Sequence, residues 1–149
     1  NIRANLMWVA TLALNGLIGA GVPQDWSTHM IGHELTALYN IDHARTLAIV
    51  LPAMLTVRQE AKREKLLQYA QRVWHINEGD EQQRIELAID KTRGFFERLG
   101  VDTRLSAYDL NNTDIEKILA QLQAHKMTAL GEKREITLEV SRQVLTQCL

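Results

Sequence analysis

Apolar residues recur with helical spacing along nearly all of this 149-residue chain, and no segment alternates convincingly between apolar and polar residues. A spacing of three to four residues places apolar side chains on one side of a helix, whereas alternation would place them on one face of a strand. The pattern therefore predicts an all-α fold of about six to eight helices. We expect one helical domain over residues 1–149.

The composition limits the class of protein. A chain of this length can bury a substantial core, and its hydrophobic fraction of 46% is ordinary for a globular protein. The net charge is −1, so no basic field is present that would hold nucleic acid or a membrane surface. The longest apolar run, residues 47–57, is too short to span a bilayer. The single cysteine, Cys148, excludes an internal disulfide and favours a cytoplasmic location.

Capping and helix-breaking residues divide the chain into predicted helices. The first three expected helices are 2–17, 29–39 with a cap at Ser27 or Thr28, and 43–51 with a cap at Asp42. Pro52 is expected to kink the third helix or to lie in the first turn of its continuation to 73. The remaining helices are expected at 80–99, ended by Gly100, at 113–126, capped by Thr113, and from Thr137 onward. Segment 101–112 is predicted to be irregular with a short turn at 106–108. The large apolar residues Met54, Trp74, Phe95, Phe96 and Met127 are predicted to lie in the core.

Three of the five histidines, His29, His33 and His43, lie within fifteen residues. His29 and His33 are one helical turn apart, which places both imidazoles on one face with about 5–6 Å between their Cβ atoms. His43 begins the next predicted helix and can point back to the same place. Neutral imidazole is the commonest metal ligand in proteins. The three residues are therefore candidates for half of a Zn²⁺ or Fe²⁺ site.

Sequence motifs that are specific for a known catalytic or nucleotide-binding site are absent near these histidines. The zinc-protease motif H-E-x-x-H needs a second histidine at position 37, where this chain has Ala37 after His33-Glu34. The glycine-rich run at residues 16–21 follows a helix rather than a strand, so it is not a dinucleotide-binding fingerprint. Histidine spacing alone therefore does not decide between a metal site and a structural cluster, because most histidine pairs four residues apart are structural.

Two other interpretations stay open from the residues alone. In the first, the chain is a non-catalytic helical interaction module, and the histidines form a hydrogen-bonded polar cluster between helices. In the second, it is a complete small metal-binding protein that uses Asp25, His29, His33 and His43. The latter interpretation predicts tight metal binding by this chain itself, whereas Asp25 more simply orders the loop before the histidine helix.

The stretch GVPQDWSTHMIGHEL at residues 21–35, followed by DHA at 42–44 and LP at 51–52, resembles the C-terminal half of the iron-containing (group III) alcohol dehydrogenases. The resemblance is to the branch of bacterial NADPH-dependent aldehyde reductases and butanol dehydrogenases. Weaker matches at residues 94–100, 114–115 and 134–137 extend it over essentially the whole chain. It implies a two-domain protein whose N-terminal Rossmann-like nucleotide-binding domain is absent here. A helical pattern that begins at Ile2 without a preceding Met also suggests a fragment.

The resemblance implies a divalent metal between the two domains, held by one aspartate and three histidines. His29 and His43 match the last two of these ligands, and the first two precede this chain. His33 matches a histidine near the reacting centre that does not bind the metal, and we expect it to relay a proton. Trp26 is expected to line the substrate pocket or, equally, to pack in its loop. Asp25 and His29 are not the family's first ligand pair, because His29 falls on the third ligand.

The activity implied by the resemblance is reduction of aldehydes to primary alcohols by hydride transfer from NADPH, with the carbonyl polarised by the metal. The cofactor would bind mainly to the missing domain. The implied partners are an aldehyde or alcohol, the chain's own N-terminal domain and a second copy in a homodimer. With two of four ligands, this chain alone is expected to bind metal weakly and to be inactive.

Overall fold

Seven α-helices make up most of the structure, a computed structural model that describes residues 1–149. They are α1 (Ile2–Leu14), α2 (Ser27–Tyr39), α3 (His43–Val57), α4 (Arg63–Trp74), α5 (Glu81–Arg98), α6 (Asn112–Ala124) and α7 (Leu138–Gln147). One short 3₁₀ helix covers Leu105–Tyr108. Two antiparallel strands, β1 (Ala129–Leu130) and β2 (Ile136–Thr137), precede α7. The all-α prediction is confirmed. None of the helices is both long and apolar enough to span a lipid bilayer.

Several helix ends follow from local sequence, and those at Asn40, Gly100 and Thr137 agree with the prediction. Asp80 forms a capping box with Gln83, since its carboxylate accepts the Gln83 backbone N–H at 2.9 Å and the Gln83 side chain accepts the Asp80 N–H at 3.2 Å. Thr137 caps α7 by accepting the Val140 N–H. Asn40 ends α2 with a left-handed φ of 53°, and Gly100 follows α5 with a φ of 77°.

Pro52 lies inside α3, which runs without interruption from His43 to Val57, so the alternative that it lies in the first turn of a continuation is wrong. A proline inside a helix removes one backbone hydrogen bond at a cost of about 3 kcal/mol. Helix α3 lies at the centre of the fold, packed against α2, α5 and α7, and Pro52 itself is buried. Packing therefore outweighs the local preference, and the chain turns only between Val57 and Arg63.

Other predicted boundaries also differ from the structure. Helix α1 ends at Leu14 rather than at residue 17. Trp26 rather than Ser27 or Thr28 occupies the N-cap of α2, and Asn111 rather than Thr113 caps α6. Asp42 does precede α3, but its side chain pairs with Arg45 instead of accepting a backbone N–H. The short strand pair was not predicted, because two-residue strands carry no alternating pattern.

The main core lies where α2, α3, α6 and α7 meet. Its fully buried centre includes Ile31, Leu35, Ile49, Ile118, Leu122 and Leu145. Met54 is only 2% exposed, which confirms its predicted core position. Phe95 is 44% exposed, so its assignment to the core is wrong, while Trp74, Phe96 and Met127 are half-buried. The reason is that α5 packs along one side only, against α3 and α4.

The closest approach of α2 to α3 occurs at Gly32. A Cβ atom added at Gly32 would lie 2.8 Å from the Thr46 hydroxyl oxygen and 3.4 Å from the Thr46 Cβ. Thr46 is fully buried, and its hydroxyl donates to the His43 carbonyl at 2.8 Å. Because that side chain is β-branched and hydrogen-bonded, it cannot easily move aside. The absence of a side chain at position 32 thus sets the spacing of the two helices.

We expect Gly32→Ala to lower the free energy of unfolding by about 1–3 kcal/mol, because the added methyl group overpacks the contact with Thr46. The matched control is Gly94→Ala within α5, where the added Cβ would meet only the Arg98 guanidinium at 3.5 Å. That variant should be more stable by about 0.5–1 kcal/mol, since alanine favours helix. Urea denaturation measures both values, and an unchanged Gly32→Ala midpoint would contradict the close-contact argument.

Helix α1 exposes apolar side chains along its length and buries none of its residues. Six of its large apolar residues are 61–88% exposed, among them Ile2 at 88%, Leu6 at 68% and Trp8 at 64%, while Leu12 is half-buried. A helix that is apolar on all sides is normally covered by other protein. An exposed apolar surface of this kind promotes association.

We therefore expect the 149-residue chain to self-associate at micromolar concentration through α1. The double variant Leu6→Lys/Val9→Lys should sediment as a smaller species with an unchanged free energy of unfolding, because both side chains are exposed. Asn5→Lys adds the same type of charge on α1 without removing apolar surface, and it should leave association nearly unchanged. Sedimentation velocity distinguishes the variants, and equal sedimentation of native and double variant would refute the role of α1.

Candidate metal centre

The three histidines of the predicted half-site converge at the start of α2 and α3. The connection at residues 40–42 reverses the chain, with Asn40 in the left-handed conformation, and so brings His43 back beside α2. The ring centroid of His43 lies 5.3 Å from that of His29 and 5.0 Å from that of His33. The His29 and His33 centroids are 6.2 Å apart, as expected for residues one helical turn apart.

The imidazoles of this cluster form no hydrogen bond with one another or with the rest of the chain, unlike His125, whose Nδ1 lies 2.7 Å from a Glu34 carboxylate oxygen. His29 is half-buried, while His33 and His43 are exposed. Burial, followed by the charges on His43 and His33, lowers the pKa of His29 below its ordinary value of 6.5. The neutral, ligating form of His29 is therefore favoured near neutral pH.

This arrangement does not support the interaction-module interpretation, which predicts a hydrogen-bonded histidine cluster between helices. Imidazoles that lie close together without hydrogen-bond partners remain free to bind another group. The donor chemistry fits a borderline metal ion such as Zn²⁺ or Fe²⁺, because neutral imidazole nitrogens are ligands that such ions favour.

The structure does not support the interpretation as a complete metal protein. Asp25 is directed to Ser27 and Lys62 rather than to the histidines. No group of three or more His, Cys, Asp or Glu side chains in the structure is arranged to hold a metal ion by itself. The histidines therefore do not form a complete metal site within this chain.

Trp26 lies beside this cluster rather than in the core. Its ring centroid is 4.9 Å from that of His29 in an edge-on arrangement, and 42% of the residue is exposed. The indole N–H donates to the Gln24 side chain at 3.2 Å. An apolar ring at the edge of the candidate site is thus available to contact a small molecule held there.

Asp25 orders the loop before α2, as the simpler interpretation predicts. One carboxylate oxygen accepts the Ser27 backbone N–H at 2.9 Å and also the Ser27 hydroxyl, and the other lies 3.0 Å from Lys62 Nζ. Lys62 also pairs with Glu132 at 3.2 Å, near β1. Burial alone would raise the pKa of Asp25, but the hydrogen bonds from Ser27 and the charge of Lys62 lower it below 3.8. The ion cluster joins the α2 loop to two distant segments.

A second buried polar contact holds the other side of α2. Glu34 is only 3% exposed, and its carboxylate Oε1 lies 2.7 Å from Nδ1 of His125 at the C-cap of α6. Neither Lys62 nor His125 was singled out from the sequence. Both are far from the histidine motif along the chain, so local spacing offers no signal for these contacts.

All 149 residues match the sequence model of the Fe-containing alcohol dehydrogenase family, C-terminal. The chain belongs to this family. Among relatives of known function, it is 60% identical to the NADPH-dependent aldehyde reductase YqhD of Escherichia coli over 97% of its own length. It is 33% identical to the NADH-dependent butanol dehydrogenase A of Clostridium acetobutylicum over 92% of its length. The expected resemblance to the branch of bacterial aldehyde reductases and butanol dehydrogenases is thus confirmed.

Solved structures of this alcohol dehydrogenase family share the fold. The substrate- and cofactor-free form of the aldehyde reductase YqhD from Escherichia coli matches with a TM-score of 0.97 at 58% identity, over 99% of this chain and 39% of that one. The NADH-dependent butanol dehydrogenase A from Thermotoga maritima matches with a TM-score of 0.90 at 29% identity, over 98% and 38% of the two chains. The chain spans 37% and 36% of the lengths of the two curated relatives.

We expect Asp25→Asn to lower the free energy of unfolding at pH 7 by about 1–2 kcal/mol, because the amide cannot pair with the charge of Lys62. A carboxyl whose pKa is lowered in the folded protein stabilises it above the unfolded pKa, and this contribution is lost as the pH falls through the folded value. The difference in free energy of unfolding between Asp25→Asn and the native chain should therefore be constant from pH 7 to about pH 5. It should shrink below pH 3.8.

The control is Glu60→Gln, which removes a carboxylate from the exposed pair with Arg63. An exposed ion pair contributes little, so this variant should unfold within about 0.5 kcal/mol of the native chain at pH 7. Urea denaturation at several pH values gives both curves. If the loss in free energy of unfolding caused by Asp25→Asn were equally large below pH 3.8, the charge of Asp25 would not be its cause.

Proposed function

We propose that this chain is the metal- and substrate-binding helical domain of an NADPH-dependent alcohol dehydrogenase or aldehyde reductase that reduces aldehydes to primary alcohols. The observation that carries this proposal is the convergence of three imidazoles without protein partners, with centroids 5.0–6.2 Å apart, in a chain 60% identical to an NADPH-dependent aldehyde reductase. Fold likeness alone would not suffice, because function depends on the site.

In this proposal His29 and His43 hold a divalent metal, Fe²⁺ or Zn²⁺, through one ring nitrogen each. The lowered pKa of His29 keeps its nitrogen free of a proton near neutral pH. We propose that the remaining ligands come from another part of the full-length protein, and the lack of a complete ligand group in this chain agrees with this. When bound, the ion supplies Lewis-acid polarisation of a carbonyl oxygen.

His33 is assigned the proton transfer. Its ring is exposed and lies 5.0 Å from the ring of His43, so it borders the same space without being one of the two proposed ligands. A protonated ring nitrogen of His33 can donate to an oxygen that develops negative charge nearby, directly or through one water. Trp26, beside His29, provides an apolar wall that orients the carbon chain of the substrate and keeps water from one side of it.

The nicotinamide cofactor, the source of hydride, binds mainly to a nucleotide-binding domain that precedes this chain in the proposed enzyme. NADPH rather than NADH is favoured by the 60% identical relative, whereas the butanol dehydrogenases are named for NADH. We place the enzyme in the cytoplasm, in keeping with a single cysteine that is fully buried. The 149-residue chain by itself should be inactive.

In the full-length protein, we expect His29→Ala and His43→Ala to lose metal and NADPH-dependent reduction of a short-chain aldehyde together. His33→Ala should retain metal but lose turnover by about 100-fold, as is typical when a positioned proton donor is removed. NADPH oxidation followed at 340 nm, with metal content determined on the same samples by mass spectrometry, tests all three variants.

The control is His75→Asn, which alters an exposed histidine outside the cluster and suits the left-handed backbone there. It should keep both metal and rate. Full activity of the His43→Ala protein would refute its role as a ligand. A native protein with neither metal nor turnover would refute the proposed function as a whole.

A further inference from the structure

We infer that Glu34 is a positioning residue, whose buried hydrogen bond to His125 fixes the rotation of α2 and thereby directs His29 and His33 into the metal centre. This inference rests on the proposed function, because it concerns how the proposed site is held in shape. Neither Glu34 nor His125 touches the cluster itself, so both would act through the helix.

Three sets of residues on α2 point in different directions around the helix: the histidines, the residue that contacts α3 and the residue that contacts α6. His29 and His33 share one face. Gly32 lies to one side of that face, against Thr46 of α3. Glu34 is two residues further on, about 200° around the helix from Gly32, and its carboxylate meets His125 at the end of α6. Helix α2 is therefore held from two sides while the histidine face between them remains open.

A directional contact matters because even a small rotation of α2 would displace the histidine side chains. Side-chain ends lie about 5–6 Å from a helix axis, so a rotation of about 10° moves them by about 1 Å. A metal site tolerates deviations of only about 0.2 Å in its ligand distances. The Glu34–His125 contact, at 2.7 Å, has the short length of a strong hydrogen bond and allows little rotation.

Burial makes this contact costly to break. The Glu34 side chain is 4% exposed, whereas the His125 side chain is 52% exposed. If α2 rotated away, the carboxyl group would lose the only hydrogen-bond partner the structure gives it while remaining inside the protein, which is strongly unfavourable. The exposed His125 ring, in contrast, can be substituted without creating a cavity, which makes it the better position for a test.

The experiment compares Zn²⁺ affinity in variants of the full-length protein by competition with a chromophoric chelator. We expect His125→Ala to weaken Zn²⁺ binding by about tenfold, in the lower part of the range for outer partners of a metal site. His125→Asn should restore affinity to within about threefold, because the asparagine amide can donate from nearly the position of Nδ1. Glu34→Gln, which keeps an acceptor oxygen, should behave like His125→Asn.

The matched control removes a different buried inter-helix hydrogen bond. The Tyr69 hydroxyl lies 2.6 Å from the Thr92 hydroxyl, between α4 and α5 and away from the histidines. Thr92→Val should lower the free energy of unfolding, as His125→Ala does, but leave Zn²⁺ affinity unchanged. This comparison separates positioning of the site from general stability.

Three outcomes overturn the inference. If His125→Ala binds Zn²⁺ as the native protein does, α2 needs no such contact, and the proposed function is untouched. If Thr92→Val weakens binding equally, the effect is one of stability alone. If the native protein binds no Zn²⁺ and no other divalent ion, the proposed function fails and the inference fails with it.

Discussion

The close contact between α2 and α3 is the constraint on which the candidate site depends. Gly32 has no side chain, so the buried Thr46 can approach the α2 backbone, and the hydroxyl of Thr46 in turn holds the His43 carbonyl. Two histidines on one helix and a third at the start of the next can then share a space about 5–6 Å across. The distance between α2 and α3 is limited by the contact of Gly32 with Thr46. The histidines themselves do not set this distance.

Two polar contacts secure the same helix against its surroundings. At its beginning, Asp25 binds Ser27 and reaches Lys62, which joins the loop to the α3–α4 connection and to the strand pair. On its buried side, Glu34 reaches His125 at the end of α6. Buried carboxylates are unfavourable without partners, so each contact selects one placement of α2 strongly. In consequence, polar contacts hold the helix that carries His29 and His33 both at its beginning and on its buried side.

The likeness to family structures with TM-scores of 0.97 and 0.90 shows that this helical unit keeps one shape between proteins of 58% and 29% identity. A fold of this kind can leave the histidines at its surface because the core-facing sides of α2 and α3 pack against α6 and α7. The apolar surface of α1, in contrast, is left uncovered by these helices. The structure thus combines a well-packed body, a cluster of three histidines outside the core and an exposed apolar helix.

The sequence by itself determined the helical class, several helix ends, the three histidines and the family. Each of these depends on neighbours along the chain: helical spacing, the capping box of Asp80 with Gln83, the left-handed turn at Asn40 and an ordered motif at residues 21–44. Only the tertiary structure decided that α3 passes through Pro52, that Phe95 is exposed, and that Lys62 and His125 support α2. Those outcomes depend on contacts between residues that are distant in sequence, where packing and burial outweigh local preference. The local sequence does not indicate which distant side chains will come into contact.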